Sequence, residues 1–401
     1  PDWRAQSGRV PGSNRLRADM ARQRHPSNRT PSARACALST VSQVLLQHKD
    51  IQACLNQELS TWELSPEDAH LATKISYGYL RYKGRLDFIL NSLCPRGLGK
   101  LPPKLVICLG LGGYELLFLD RVPAYATVNW VVNRVKKAFT PKLAGLANGV
   151  LRNVAREADS LNTFAYMAKD RPEPEIALSR WYSCPVWIVG LLLESFGQSA
   201  CSHFLQKTLE SPPVGLRFHP DYGQELRAQL RTNPFFIQES STGMAFSKTP
   251  DPNIVAWERQ GRLSRQSLAV QNILGELGLP GWPGPVWDAC AGNGGKSCLM
   301  WEYGTAQVWS SDRAAMKMTQ CRNDMQRLHV SEPLLFVADA TQPGPFSHPP
   351  GTLLLDVPCS GFGVLSRRPD IKWKRKPKDV SAMVDIQKRM LLSACETLKT
   401  G

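Results

Sequence analysis

Four short apolar runs recur after Pro285, in "PVWDAC", "AQVWSSD", "PLLFVAD" and "TLLLDVP", each closing on an acid or a turn and separated by helix-compatible stretches. A rhythm of strand, loop and helix predicts a parallel α/β sheet. Ligands of such sheets sit at the carboxyl ends of the strands, where Asp288, Asp312, Asp339 and Asp356 fall. The last 118 or so residues are therefore the segment to search for chemistry, on the order of one small domain.

The rest of the 401-residue chain is long enough for one or two further domains, each with its own core. From residue 34 to about 170 the pattern is helical. "ARACALSTVSQVLLQ" repeats apolar residues at three and four, Ser65-Pro66-Glu67-Asp68 reads as an N-cap followed by proline and acids, and "LVICLGLGGYELLFL" and "YATVNWVVNRVKKAF" continue the pattern. An all-α bundle is expected there. Residues 171 to 283 are rich in proline and read as a linker, with a short helical piece at "PVWIVGLLLESFG" and then a small α+β subdomain. Residues 284 to 401 hold the sheet. The first 33 residues read as a disordered basic arm: up to Arg34 the chain has eight Arg, two Asp and neither Glu nor Lys. Without apolar periodicity this arm suits a solvated or RNA-touching tail better than a targeting peptide.

A formal charge of +15 and a pI near 9.4 draw polyanions, nucleic acid first among them; a merely soluble basic protein is the plainer alternative. No uninterrupted apolar run reaches the roughly 18 residues of a membrane helix, and "PVWIVGLLLESF" meets Glu194 too soon, so no membrane role is expected. Eleven cysteines with no Cys-x-x-Cys pair and no histidine at zinc spacing argue against a metal site and for a reducing cytoplasm.

"DACAGNGGKS" is a glycine-rich loop after a strand, suited to close backbone approach by a ligand. It is not a phosphate loop, which needs glycine where Cys290 stands, and it does not fit the dinucleotide fingerprint; a purely structural turn is the competing account. Asp312, ending the next strand, can accept hydrogen bonds from two ribose hydroxyls, and Asp339 can face an adenine amino group. Singly each Asp reads as a strand-end cap. Together they fit a nucleoside cofactor without a phosphate cradle, S-adenosylmethionine being the obvious one.

The fourth strand runs into "LLLDVPCSGFGVLSRRPDIKWKRKPK", an acid and a thiol followed by seven Lys and Arg. The cations could form a solvated loop. Set directly after the turn, Arg367, Arg368, Lys372 and Lys374, with Trp373 for stacking, are expected to hold RNA beside a target base. Taken together, "DACAGNGGK", "DVPCSG" and "RRPDIKWKR" resemble the RNA 5-methylcytosine methyltransferases of the RsmB/Sun (Fmu) type, and "DRVPAYATVNWVVNRVKK" followed by "LANGVLRNV" is similar to their NusB-like RNA-binding domain. The resemblance spans about residues 33 to 401.

The resemblance implies a NusB-like bundle followed by a Rossmann-like methyltransferase domain acting on small-subunit ribosomal RNA as a monomer. Cys290, Ala291, Gly292, Asn293, Gly294, Gly295 and Lys296 would wrap the amino-acid end of S-adenosylmethionine, Asp312 its ribose and Asp339 its adenine, with Asp356 at the border of cofactor and target base. Gly292 and Asn293 stand where the family usually has Ala-Pro. In this chemistry a thiolate adds to carbon 6 of cytosine, carbon 5 takes the methyl, the carbon-5 proton leaves and the thiolate is expelled. Asp356 would stabilise the ring nitrogen, and Cys359 matches the family's product-release cysteine. The attacking thiol, in a Thr-Cys-Ser segment of the next strand, is expected beyond Gly401, leaving the sheet incomplete and these 401 residues binding RNA without methylating it. The rivals are a non-catalytic RNA-binding remnant and a DNA cytosine methyltransferase; the NusB-like segment and "RRPDIKW" speak against the latter.

Overall fold

The structure, a computed structural model, describes residues 32–171, 173–304 and 306–398. Of the basic arm only Ser32 and Ala33 fall within them, Ser32 Oγ accepting from the Ala35 amide as the cap of the first helix. Helices follow at Ala33–Leu46, Ile51–Trp62, Pro66–Leu93, Pro103–Phe118, Ala124–Ala138 and Pro141–Arg156. Ser65 caps the third as its sequence suggests, accepting from the Asp68 amide at 3.1 Å with Pro66 in the first turn. Their apolar faces close one core around Val41, Ile75, Leu86, Leu109, Val131 and Leu151. The long third helix and the fourth cross closely because each offers the other a glycine: a Cβ at Gly78 would sit 2.0 Å from the Tyr114 ring, and one at Gly110 2.3 Å from the Tyr79 ring.

The linker region is more ordered than its prolines suggest. The helix expected to stop near Gly197 kinks there, at φ 74° and ψ 172°, and resumes, spanning Val186–Leu209. No single helix among the described residues is long and apolar enough to cross a membrane. Strands β1 (Val214–Phe218), β2 (Phe236–Glu239), β3 (Gly243–Phe246) and β4 (Leu263–Arg265) then form an antiparallel sheet in the order β2-β3-β1-β4.

The four apolar runs become β5 (Val286–Asp288), β6 (Val308–Asp312), β7 (Leu334–Val337) and β8 (Thr352–Leu354), all parallel, in the order β7-β6-β5-β8. The chain builds outward from β5 on one side and returns to its other side with β8. This reversal opens a crevice at the carboxyl ends of β5, β6 and β8. Under the sheet, Phe346 packs against Trp287, Trp309 and Phe336. Among the described residues β8 pairs only with β5.

Buried polar contacts dock the two sheets. The Arg217 and Glu302 side chains, 2% and 3% exposed, form an ion pair at 2.5 Å. Burial pushes the Glu302 carboxyl above its ordinary range against the pull of Arg217. Arg327 donates to the Glu258 and Leu263 carbonyls and to Ser264 Oγ.

The basic segment after β8 docks the helical domain, and here the expectation of RNA contact needs correction. Lys372 is 2% exposed, and its amine donates to the Arg81 carbonyl at 2.9 Å. Trp373 donates from Nε1 to the Leu80 carbonyl at 2.7 Å and lies under the Lys83 ammonium. Arg368 pairs with Asp50, which also caps the Ile51–Trp62 helix, and Lys374 bonds the buried Asp370 at 2.6 Å. Lys372 and Trp373 are turned into the protein because carbonyls of the long helix have a second lone pair to offer, while Arg368 and Lys374 are held by the counter-charge of Asp50 and Asp370. Arg367 alone of the five stays exposed.

Burial, with Arg81 and Arg85 nearby, lowers the Lys372 amine from 10.5 to about 8. Between those values the folded chain holds fewer protons at this site than the unfolded chain, so stability rises with pH across the window. Lys372→Met should abolish that rise. Urea unfolding followed at pH 7.5 and pH 10 should show wild type gaining up to about 3 kcal/mol relative to the variant; parallel pH profiles would show that Lys372 does not titrate in the fold.

Candidate active site

Strand β5 carries Asp288 into the interior at the point where the chain leaves the sheet. The carboxyl is fully buried, Oδ2 accepts from Ser297 Oγ at 2.7 Å, and Oδ1 has no hydrogen-bond partner. Burial raises its pKa to about 6 even with the Ser297 hydrogen bond and Lys296 opposing. It acts as a brace: one oxygen ties the end of β5 to the first turn of the Gly295–Tyr303 helix.

Between brace and helix the glycine loop is held from several sides. The Ala291 amide donates to the Ser311 carbonyl at 2.9 Å, and the Gly292 amide to Asp312 Oδ2 at 3.2 Å. Gly294 takes φ +90°, where a Cβ would lie 2.4 Å from Cys321 Sγ, so only glycine fits. Gly292, at φ +60°, faces open space on its Cα. Asn293 is exposed at the tip, while Ala291 is buried beneath it.

The antiparallel subdomain also grips this loop, through residues that sequence reading passed over. Arg217 Nη1 and Gln266 Nε2 each donate at 2.9 Å to the Gly295 carbonyl, and Arg217 also holds Gln266 Oε1. An arginine inside an apolar strand, "VGLRF", was the available signal. Its meaning depended on Glu302, on another element.

Three of the predicted acids converge on one point. Asp312 ends β6, accepts from the Ala314 amide and pairs with Lys317 at 3.1 Å. Asp356 follows β8 and pairs with Lys296, so loop and turn are joined across the crevice. The Cys290 thiol registers the convergence: burial first, then the charges of Asp288, Asp312 and Asp356, push it up to about 12. Cys290 therefore stays protonated at neutral pH and is no nucleophile. Asp339 lies after β7, where the Thr341 amide and hydroxyl hold its carboxyl below the ordinary range.

Cys359 sits exposed in the turn after β8. Its neighbours are fixed by the helix that follows, Gln387 donating to the Pro358 carbonyl at 2.9 Å, and by Arg375, donating to the Ser360 carbonyl at 3.2 Å. Of the described cysteines only Cys359 and Cys395 are exposed, and Cys395 lies within the Pro377–Thr397 helix. The arrangement offers an accessible thiol and a carboxylate beside a glycine loop ringed with negative charge.

Residues 31–156 match the NusB family, and residues 283–401 match the family described as 16S rRNA methyltransferase RsmB/F. A Synechocystis protein named "Probable ribosomal RNA small subunit methyltransferase B" is 29% identical over 92% of this chain and 84% of its own. A Pasteurella multocida protein named "Ribosomal RNA small subunit methyltransferase B" is 28% identical over 92% of this chain and 81% of its own. The crystal structure of PH0851 superposes with a TM-score of 0.68 at 17% identity, covering 91% of this chain and 83% of that one, which shows a shared fold. The chain thus joins a NusB family domain to a methyltransferase domain of the 16S rRNA methyltransferase RsmB/F family.

Proposed function

We propose that the protein transfers a methyl group from S-adenosylmethionine to carbon 5 of a cytosine in small-subunit ribosomal RNA. The observation that carries this reading is that Asp312, Asp288 and Asp356 hold the glycine loop and the helix it opens through the Gly292 amide, Ser297 and Lys296, with the exposed Cys359 three residues after Asp356. The donor is a nucleoside with a sulfonium cation. A crevice lined with carboxylates and reached by open backbone at Gly292 suits that charge and needs no phosphate cradle.

The residues from Cys290 to Lys296 would hold the amino-acid end of the donor, Asp312 the ribose hydroxyls and Asp339 the adenine edge. When bound, the donor supplies an electrophilic methyl group. Asp312 is prepared for its part: the Gly292 and Ala314 amides and Lys317 already fix its carboxylate, so little ordering remains to be done on binding. The target cytosine must leave its stack to reach the turn. There Asp356 stabilises the ring nitrogen as it gains electron density, and Cys359 serves the step in which the carbon-5 proton departs and product is released. Lys296 pairs with Asp356 and so ties this turn to the glycine loop.

Asp312→Asn should weaken S-adenosylmethionine binding by about 1.5–3 kcal/mol, the worth of a charge-assisted hydrogen bond. Calorimetric titration measures it, and unchanged affinity would remove Asp312 from the ribose site. For the chemistry, a chain that also carries the Thr-Cys-Ser strand supplying the attacking thiol should, with unmodified small-subunit RNA and radiolabelled donor, yield label in 5-methylcytosine after digestion to nucleosides. Cys359→Ala should lower turnover by about 100-fold or more while leaving donor affinity intact. Label in any other nucleoside would overturn the carbon-5 assignment, and an unimpaired Cys359→Ala variant would take the thiol out of the mechanism.

A further inference from the structure

A cavity of about 950 Å3 lies where the helical domain, the antiparallel subdomain and the segment after the Cys359 turn meet. Its walls carry five cations, Lys74, Arg81, Lys248, Arg265 and Arg367, and neither aspartate nor glutamate. Arg265 pairs with Glu258, which is not part of the lining. Arg81 donates to the Ser366 carbonyl at 2.8 Å, and its Nε, shut away from solvent, has no hydrogen-bond partner. Lys74, Lys248 and Arg367 have no carboxylate partner among the described residues. Cations left unpaired along a concave wall are the footprint of a polyanion.

Aromatic rings share the wall. Tyr77, Tyr82 and Phe118 are half-buried and line the cavity, with Tyr82 stacked on Phe118 at 4.1 Å between centroids. Rings set among cations are what single-stranded nucleic acid uses, bases stacking while phosphates meet the charges. An acidic peptide would satisfy the cations and leave the rings idle. At about 950 Å3 the cavity matches a site that engulfs a drug-sized ligand, so it takes a short unpaired stretch and not a duplex.

Location links this cavity to the chemistry. Gln266 lines it and donates to the Gly295 carbonyl of the cofactor loop, while Ser366 and Arg367 on its rim follow the Cys359 turn in the chain. We propose that this interdomain cleft holds the single-stranded RNA adjoining the target base, with Lys74, Lys248 and Arg367 on its phosphates and Tyr77 and Tyr82 against its bases. The proposal rests on the RNA-methylation reading and adds where the strand runs: between the two domains, over the face that Lys372 and Trp373 hold together.

The full chain carrying Lys74→Gln and Lys248→Gln is compared with wild type and with a control, Lys104→Gln plus Lys142→Gln, whose exposed lysines lie outside the cleft. Fluorescence anisotropy with an unstructured RNA oligonucleotide is read across a salt series. The cleft variant should lose roughly 1.4 from the logarithmic salt slope, about 0.7 for each phosphate contact on a single strand, and the control should not move. Tyr77→Ala should weaken binding about tenfold at unchanged slope, the mark of a lost stacking contact. A cleft variant that keeps the wild-type slope would overturn the cleft while leaving RNA binding in place. Equal competition by a paired RNA duplex or by polyglutamate would overturn the assignment to single-stranded RNA. A wild-type chain that binds S-adenosylmethionine by calorimetry yet no RNA at any salt would sink the RNA reading together with this one.

Discussion

The amine of Lys372, buried against the Arg81 carbonyl, holds the two halves of the chain in one arrangement. A lone cation in a protein interior is costly, and here Arg81 and Arg85 stand close enough to lower its pKa further. The neighbourhood offsets that cost. Trp373 covers the same helix face and bonds the Leu80 carbonyl, while Asp370, fully buried two residues before Lys372, gathers Lys374 and Arg368. The long Pro66–Leu93 helix receives Lys372 and Trp373 on one turn, where Gly84 leaves room for Ser183 and Trp373 together. Because Lys372 follows Cys359 by 13 residues, fixing this segment against the helical domain also limits where that turn can be. The interdomain cleft follows from the same contact.

A second constraint acts at the glycine loop. Its geometry depends on groups from three places: Asp312 at the end of β6, the buried Asp288 at the end of β5, and Arg217 with Gln266 from the antiparallel sheet. The loop is preorganised by contacts that do not require a ligand. Burial, and after it the carboxylates around it, keep the Cys290 thiol neutral, while Lys296 and Lys317 each take one acid. The two cysteines of the site are thereby divided by environment. Cys290 is a packed, inert thiol, and Cys359 is accessible.

Much of this was legible along the chain. Apolar runs ending in acids became β5 to β8, because a buried parallel strand must be apolar and must end where the chain turns. Ser65 and Pro66 started a helix for reasons confined to its first turn. Asp288, Asp312 and Asp356 fell at strand ends because strand direction is fixed by the crossover pattern, and a residue's place at a strand end does not depend on distant partners. The glycines of the loop announced a backbone conformation that other residues avoid, and the structure uses them that way at Gly292 and Gly294.

Other features could not be read locally. "RRPDIKWK" looks like an RNA-binding cluster until the long helix is placed beside it; only then are Arg368, Lys372 and Trp373 taken up by Asp50 and two helix carbonyls some 290 to 320 residues away in the chain, while Lys374 meets Asp370 within the segment itself. Arg217 in β1 gave no sign of the Glu302 it would meet. The sequence by itself determined the strands, the helices, the loop glycines and the acids at the sheet edge, since each follows from periodicity or backbone sterics within a few residues. Tertiary structure alone decided which cations remain free, because a charge is neutralised by whatever lies nearest in space, and nearness in a folded chain is set by packing between distant segments.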